Sequence, residues 1–204
     1  GKISMSTLWR SFVPYHVARD LIRQPGQSPV GQEQRFDAVV LFADVSGFTA
    51  LSEALGAAGR DGTEELTTIL NRYFEQMIAL IQSYGGITAK FGGDALTVLF
   101  PYTIEDHQAV ARRALQCALE MQGRMPGYTN LPTSAGLFSL TMKAGLAQGP
   151  IFCTTVGDPA LRLEAVIAGG PLDACAEAEH HARAGEVLAA SSLLETAAPV
   201  TTGE

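Results

Sequence analysis

An apolar run, Val39, Val40, Leu41, Phe42 and Ala43, ends on a carboxylate, Asp44, and the chain then continues through Ser46, Gly47, Phe48 and Thr49. The run suits a strand inside a sheet, read over residues 36–43, and the residues after Asp44 have the composition of a helix start. A carboxylate at the end of a buried strand, facing a glycine turn, has two explanations. Either the strand end is solvated, or a cation sits over the N-terminus of the next helix. Much of what this chain can fold into turns on which holds.

The remaining pattern places that strand in a topology. A helix is expected over 49–57 and a longer one over 62–84, with Leu66, Ile69, Leu70, Tyr73, Met77, Leu80 and Ile81 on one stripe. "GGITAK" and "ALTVLFP" read as short strands joined by the turn "FGGD", a hairpin by its length and glycines. Next come a helix over 105–124, a loop over 125–136 and strands over 137–147, 150–156 and 161–167. A helix over 171–184, the strand "EVLAA" and a short helix ending near Thr196 complete the order. Ahead of all this, Leu8, Phe12, Val17 and Leu21 suggest a lead-in helix interrupted by Pro14, with Trp9 and Phe12 anchoring it, and "PGQSPVGQEQR" a linker.

This order gives an α/β (α+β) fold with a ferredoxin-like βαββαβ core and extra C-terminal strands and helices. Residues 1–30 form the lead-in and 31–204 one domain. In such a core the first strand and the hairpin are neighbours, so Asp44 and Asp94 meet although fifty residues separate them. Two like charges placed together repel unless a cation lies between them. Mg²⁺ takes one or two carboxylates, keeps several waters and binds substrate phosphates for the rest. The stretch Ser46, Gly47, Phe48, Thr49 offers free N–H groups at a helix N-terminus, where Gly47 lets phosphate oxygens come close.

Composition narrows the class of partner. The 204 residues are 47% hydrophobic and 17% charged, as in a globular domain, and a net charge of −7 without any Lys/Arg cluster disfavours nucleic acid. No run approaches a membrane span. Cys117, Cys153 and Cys175 are odd in number and form no CxxC pair, which suits core residues in a reduced, cytoplasmic setting. His180 and His181 read as a solvated helix end. A receiver domain with Asp44 as phosphoacceptor would alternate strand and helix regularly and has no hairpin ending in "GGD".

"FADVSGFTALSE" and "KFGGDALTVLF" resemble the two metal motifs of class III nucleotidyl cyclases, the adenylyl and guanylyl cyclase catalytic domains, and the resemblance runs over about residues 30–195. It implies that Asp44 and Asp94 hold two Mg²⁺ (or Mn²⁺) ions. It also implies that ATP is converted to 3′,5′-cyclic AMP and pyrophosphate, with Ser46, Gly47, Phe48 and Thr49 at the substrate. "SLTMKAGLAQGPI" resembles the family strand whose basic residue, here Lys143, reaches the terminal phosphates. Lys90 stands at the family's base-reading lysine.

Where the family places a base-reading Asp or Thr, a transition-state Asn and an Arg, this chain has Val166, Asp173 and Glu177. No Asn or Arg lies between Arg162 and Arg183. The resemblance is therefore to the first domain of tandem cyclases, as in the soluble, bicarbonate-responsive adenylyl cyclases and their bacterial relatives. A second cyclase domain would supply the missing groups, and a homodimer of this domain would lack them. Ala176 occupies the position of the bicarbonate-binding arginine, so the resemblance does not carry that effector over. The alternative is a catalytically silent nucleotide- or ion-binding regulatory module of the same fold.

Overall fold

The computed structural model describes residues 33–92, 94–158 and 162–198. The expected lead-in helix, including Leu8, Trp9, Phe12, Val17 and Leu21, and linker residues 25–32 lie outside them, whereas Glu33–Arg35 of the expected linker are extended and open the first strand.

Strand β1 (Glu33–Ser46) is the middle of the main sheet, followed by α1 (Phe48–Ala57) and α2 (Arg60–Ser83). The hairpin β2 (Ile87–Gly92) and β3 (Ala95–Tyr102) leads to α3 (His107–Arg124). After β4 (Leu131–Thr133) and β5 (Gly136–Phe138) come β6 (Thr141–Asp158), β7 (Arg162–Ala168), α4 (Gly170–His181), β8 (Val187–Ala189) and α5 (Ser191–Ala197). The sheet order is β2-β3-β1-β6-β7, with β8 parallel to β6. Its first four strands have the antiparallel order of a ferredoxin-like core.

Two expectations need correction. Residues 137–147 and 150–156 do not form two strands: Leu137 and Phe138 belong to β5, while β6 runs unbroken through Gly149 and Pro150. Gly149 carries the chain through with φ of +145°, a value open to glycine. The expected loop 125–136 holds a 3₁₀ turn over Met125–Tyr128 and β4, which pairs with β5 in a separate small sheet.

Alternation along β1 assigns its two faces. Val39, Leu41, Ala43 and Val45 enter the larger core with Leu51, Leu55, Tyr73, Met77, Ile81 and Ala114, beneath α1, α2 and α3. Ala38 and Val40, with Phe42 packed beside them, point to the other face, where Ala147, Ile151 and Cys175 complete a smaller core under α4. Asp44 comes after Phe42 at the same spacing and so shares the α4 face.

Helix α4 approaches that face closely because β6 presents small residues to it. A Cβ added at Gly145 would collide with the backbone nitrogen of Glu179 and the carbonyl of Cys175. Cys175 Sγ lies 3.0 Å from the Gly145 carbonyl and 3.4 Å from that of Val40, donating to both. All three cysteines are buried, and burial pushes the Cys117 and Cys175 thiols up to about 12. At the other end of the sheet, Gln148 on β6 donates to Ser192 O and Thr196 Oγ1, seating α5. Among the described residues no helix is long and apolar enough to cross a membrane.

Gly145→Val should cost at least the roughly 1–3 kcal/mol of ordinary overpacking, because backbone rather than a flexible side chain blocks the new atoms. Urea denaturation should show a lower midpoint, and an unchanged midpoint would mean that α4 is not seated as described.

Candidate active site

The carboxyl end of β1 meets the β2–β3 hairpin. Asp44 pairs in register with Ala95, and Val45 N–H donates to the Asp94 carbonyl at 3.2 Å, fixing the Asp94 backbone beside the strand end. The hairpin closes between Gly92 and Ala95. Topology thus brings the two carboxylates together. On the opposite side of β1, Asp44 pairs with Lys143 of β6. Directly opposed residues of antiparallel strands project to the same face, so Lys143 stands beside Asp44.

Beyond Asp44 the chain turns into α1 at Gly47, whose φ is +104° and whose Cβ, if it had one, would strike the Ser139 carbonyl. Glycine is required there on both counts. Among the described residues no side chain caps α1, and no acidic residue occupies its first turn. The leading amides of a helix have no partner within it, so this end offers donors to an anion. Ser46 and Thr49 are exposed at this end. The Phe48 side chain is buried, its ring 5.6 Å from that of Tyr73 and 6.2 Å from that of Phe74. Only the Phe48 backbone N–H is placed to meet a ligand.

The electrostatics match an unneutralised pair. Burial raises the Asp44 carboxyl above its ordinary range, and the charges of Asp94 and Glu179 raise it further against the opposing pull of Lys143. Lys143 is raised first by its hydrogen bond to Glu179, then by the charges of Glu179 and Asp44, with burial working against them. Its Nζ lies 2.9 Å from Glu179 Oε1. Below the site, the fully buried Tyr73 hydroxyl has no hydrogen-bond partner among the described residues. Burial foremost, then Tyr128 and Asp44, make it harder to ionise.

Among the described residues, no three His, Cys, Asp or Glu side chains gather to hold a metal by themselves. Two adjacent carboxylates beside free helix amides instead fit a hard cation that completes its shell with water and phosphate oxygens. The donor set therefore suits Mg²⁺ or Mn²⁺ brought with a polyphosphate.

The other sequence candidates are carried by β2, β7 and α4. Lys90 is on β2, paired with Thr97. Val166 is exposed on β7, and Asp173 and Glu177 are exposed on α4, four residues apart. His180 and His181 are exposed in the last turn of α4. Glu179 is an addition that the motifs do not single out. Its charge alone gives no signal among the neighbouring acidic residues of the helix, and only the seating of α4 on Gly145 brings it to Lys143.

The family model for the adenylate and guanylate cyclase catalytic domain matches residues 31–187. Adenylate cyclase type 10 of Oryctolagus cuniculus is 32% identical over 155 residues, covering 75% of this chain and 9% of the relative. The chain thus spans under a tenth of the length of such curated relatives. Among solved structures, the guanylyl cyclase Cya2 superposes with a TM-score of 0.66 at 30% identity, covering 81% of this chain and 80% of that one. The adenylyl cyclase CyaB from P. aeruginosa gives a TM-score of 0.66 at 27% identity, covering 81% and 82%.

A carboxyl whose folded-state pKa is raised loses stability for the fold as pH climbs from its ordinary value of 3.8 through the raised one. Without divalent metal, Asp44→Asn should therefore melt higher than the wild type at neutral pH, and the gap should close as the solution is acidified. Thermal melts in EDTA across that range check this. A variant less stable at neutral pH would show that Lys143 outweighs the repulsion.

Proposed function

The chain belongs to the adenylate and guanylate cyclase catalytic domain family, and from that premise we propose that it is the metal-binding half of an adenylyl cyclase. With a complementary domain beside it, it converts ATP to 3′,5′-cyclic AMP and pyrophosphate. Residues 31–204 form the catalytic domain and residues 1–30 lead into it. The observation that carries this reading is the meeting of Asp44 and Asp94 beside the uncapped start of α1, with Lys143 in register next to Asp44. ATP is favoured over GTP because the matching curated relatives are adenylate cyclases.

In the reaction the ribose 3′-oxygen attacks the α-phosphorus. The new O3′–Pα bond forms as the bond from Pα to the bridging oxygen breaks, the hydroxyl proton leaves to solvent or a base, and pyrophosphate departs. Two divalent ions, when bound, supply positive charge to the attacking and leaving oxygens. Asp44 and Asp94 hold that charge in place. The amides at the start of α1 donate to phosphate oxygens, with Gly47 giving access and Ser46 and Thr49 flanking them. Lys143 adds a compact positive charge toward the terminal phosphates. Lys90 sits on the strand from which the family reads the base.

What this chain lacks argues for a partner. Val166, Asp173 and Glu177 occupy the positions at which the resemblance expects base-reading and transition-state groups, and Glu177 has the wrong sign for a phosphate in its transition state. Their exposure leaves them open to a second domain. Removing one preorganised transition-state group commonly costs about 10²–10³ in rate, and two are missing.

The 204-residue chain alone should thus bind Mn²⁺-ATP weakly and make almost no cyclic AMP, while a domain carrying the Asn and Arg, added in trans, should restore turnover. Robust cyclic AMP production by the chain alone would sink the half-enzyme reading. No metal-dependent nucleotide binding at all would favour a silent module. In the restored pair, Asp44→Asn or Asp94→Asn should abolish turnover, and Lys143→Ala should raise KM for the nucleotide. If steady-state kinetics leave KM and kcat of Lys143→Ala unchanged, that lysine is an ordinary surface residue.

A further inference from the structure

Lys143 presents a physical difficulty that the proposed reaction does not resolve. A permanent positive charge next to Asp44 repels any cation that Asp44 and Asp94 are to hold. The structure contains an answer on α4. Glu179 Oε1 lies 2.9 Å from Lys143 Nζ, and the two side chains are only 19% and 25% exposed. The pair is held from both ends. Lys143 is set by the β1–β6 register opposite Asp44, and the Glu179 backbone is pressed against Gly145, two residues along the same strand. A lysine on a flexible stem is thereby confined to one place. An ammonium has three donors, so a bond to Glu179 leaves two for phosphate oxygens.

The charges around the site are three carboxylates, Asp44, Asp94 and Glu179, against one ammonium, which leaves −2 to meet a divalent cation. Without Glu179 the set would carry only −1. Glu179 is not itself a third ligand, since no such group of three gathers among the described residues and its carboxylate already binds Lys143.

We propose that Glu179 is a positioning residue that neutralises Lys143 as seen from the Asp44–Asp94 cation site while holding the ammonium ready for the triphosphate. This rests on the cyclase reading of that site. The carboxylate gives Lys143 two states of effect: silent toward the incoming metal, and available to the phosphates.

Two separate affinities should then move with opposite sign. In Glu179→Gln, an isosteric change, Lys143 is left uncompensated. Binding of Mn²⁺ alone, monitored by electron paramagnetic resonance without nucleotide, should weaken by roughly three- to twentyfold, as expected for one unit charge acting over several ångströms in a partly solvated site. Binding of inorganic tripolyphosphate in EDTA, measured by calorimetry, should tighten. Lys143→Met should move both affinities the opposite way, and the double variant Lys143→Met/Glu179→Gln should return Mn²⁺ affinity to near the wild-type value. A merely structural role would weaken both ligands together in Glu179→Gln, and that result overturns the proposal, as does an unchanged Mn²⁺ affinity. Asp44→Asn is the control for the reading beneath it. If wild-type Mn²⁺ binding does not depend on Asp44, the cation site fails and this inference with it. If it depends on Asp44 but is indifferent to Glu179→Gln, only the role of Glu179 falls.

Discussion

The structure depends on β1 being paired along both edges at once. Its register against β3 and its register against β6 are each fixed to the residue, and a slip of one on either side would turn every apolar side chain of the strand to the wrong face. Val39, Leu41 and Ala43 resist that slip from one core, Ala38 and Val40 from the other. The polar end of the strand takes its place from this apolar locking. Asp44 stands between Ala95 and Lys143 because the buried residues before it cannot move.

Placing charge at the end of so well-buried a strand works against stability. Asp44 is crowded by two other carboxylates, and the helix end next to it is left without a cap. Both features are unfavourable in the protein alone and favourable once a cation and an anion arrive, a pattern common where a fold gives up local stability for a site. The aromatic cluster of Phe48, Tyr73, Phe74 and Tyr128 beneath the turn holds the first residue of α1 rigidly in the core, so the exposed amides start from a fixed base.

Much of this is legible in the residues. The unbroken apolar run over 39–43 marks β1 because both its faces are covered, the period near 3.6 over 66–81 marks α2 because one face meets a core, and the ferredoxin-like order then makes neighbours of Asp44 and Asp94. Local signals fail where tertiary pairing decides. Gly149-Pro150 has the composition of a turn, yet pairing with Ala38 and Asp37 keeps it in a strand. β4 contains Pro132 and only three residues, too few for any periodicity to register. The motif offers Phe48 to the substrate through its main chain, and its apolar side chain belongs to the core. Glu179 escapes a linear reading because its importance arises from the depth at which α4 sits on the sheet, a distance no pattern of residues encodes.

The contact between α4 and Gly145 is made by main-chain atoms of the helix, and this separates two kinds of constraint that usually coincide. The Glu179 side chain can be exchanged without disturbing the surface that meets Gly145, while the glycine itself admits no replacement. Position 145 is therefore closed to change and position 179 is open to it. A lineage carrying this fold can retune the charge beside its lysine in a single substitution, from carboxylate to amide or to a base, without re-docking the helix that presents it.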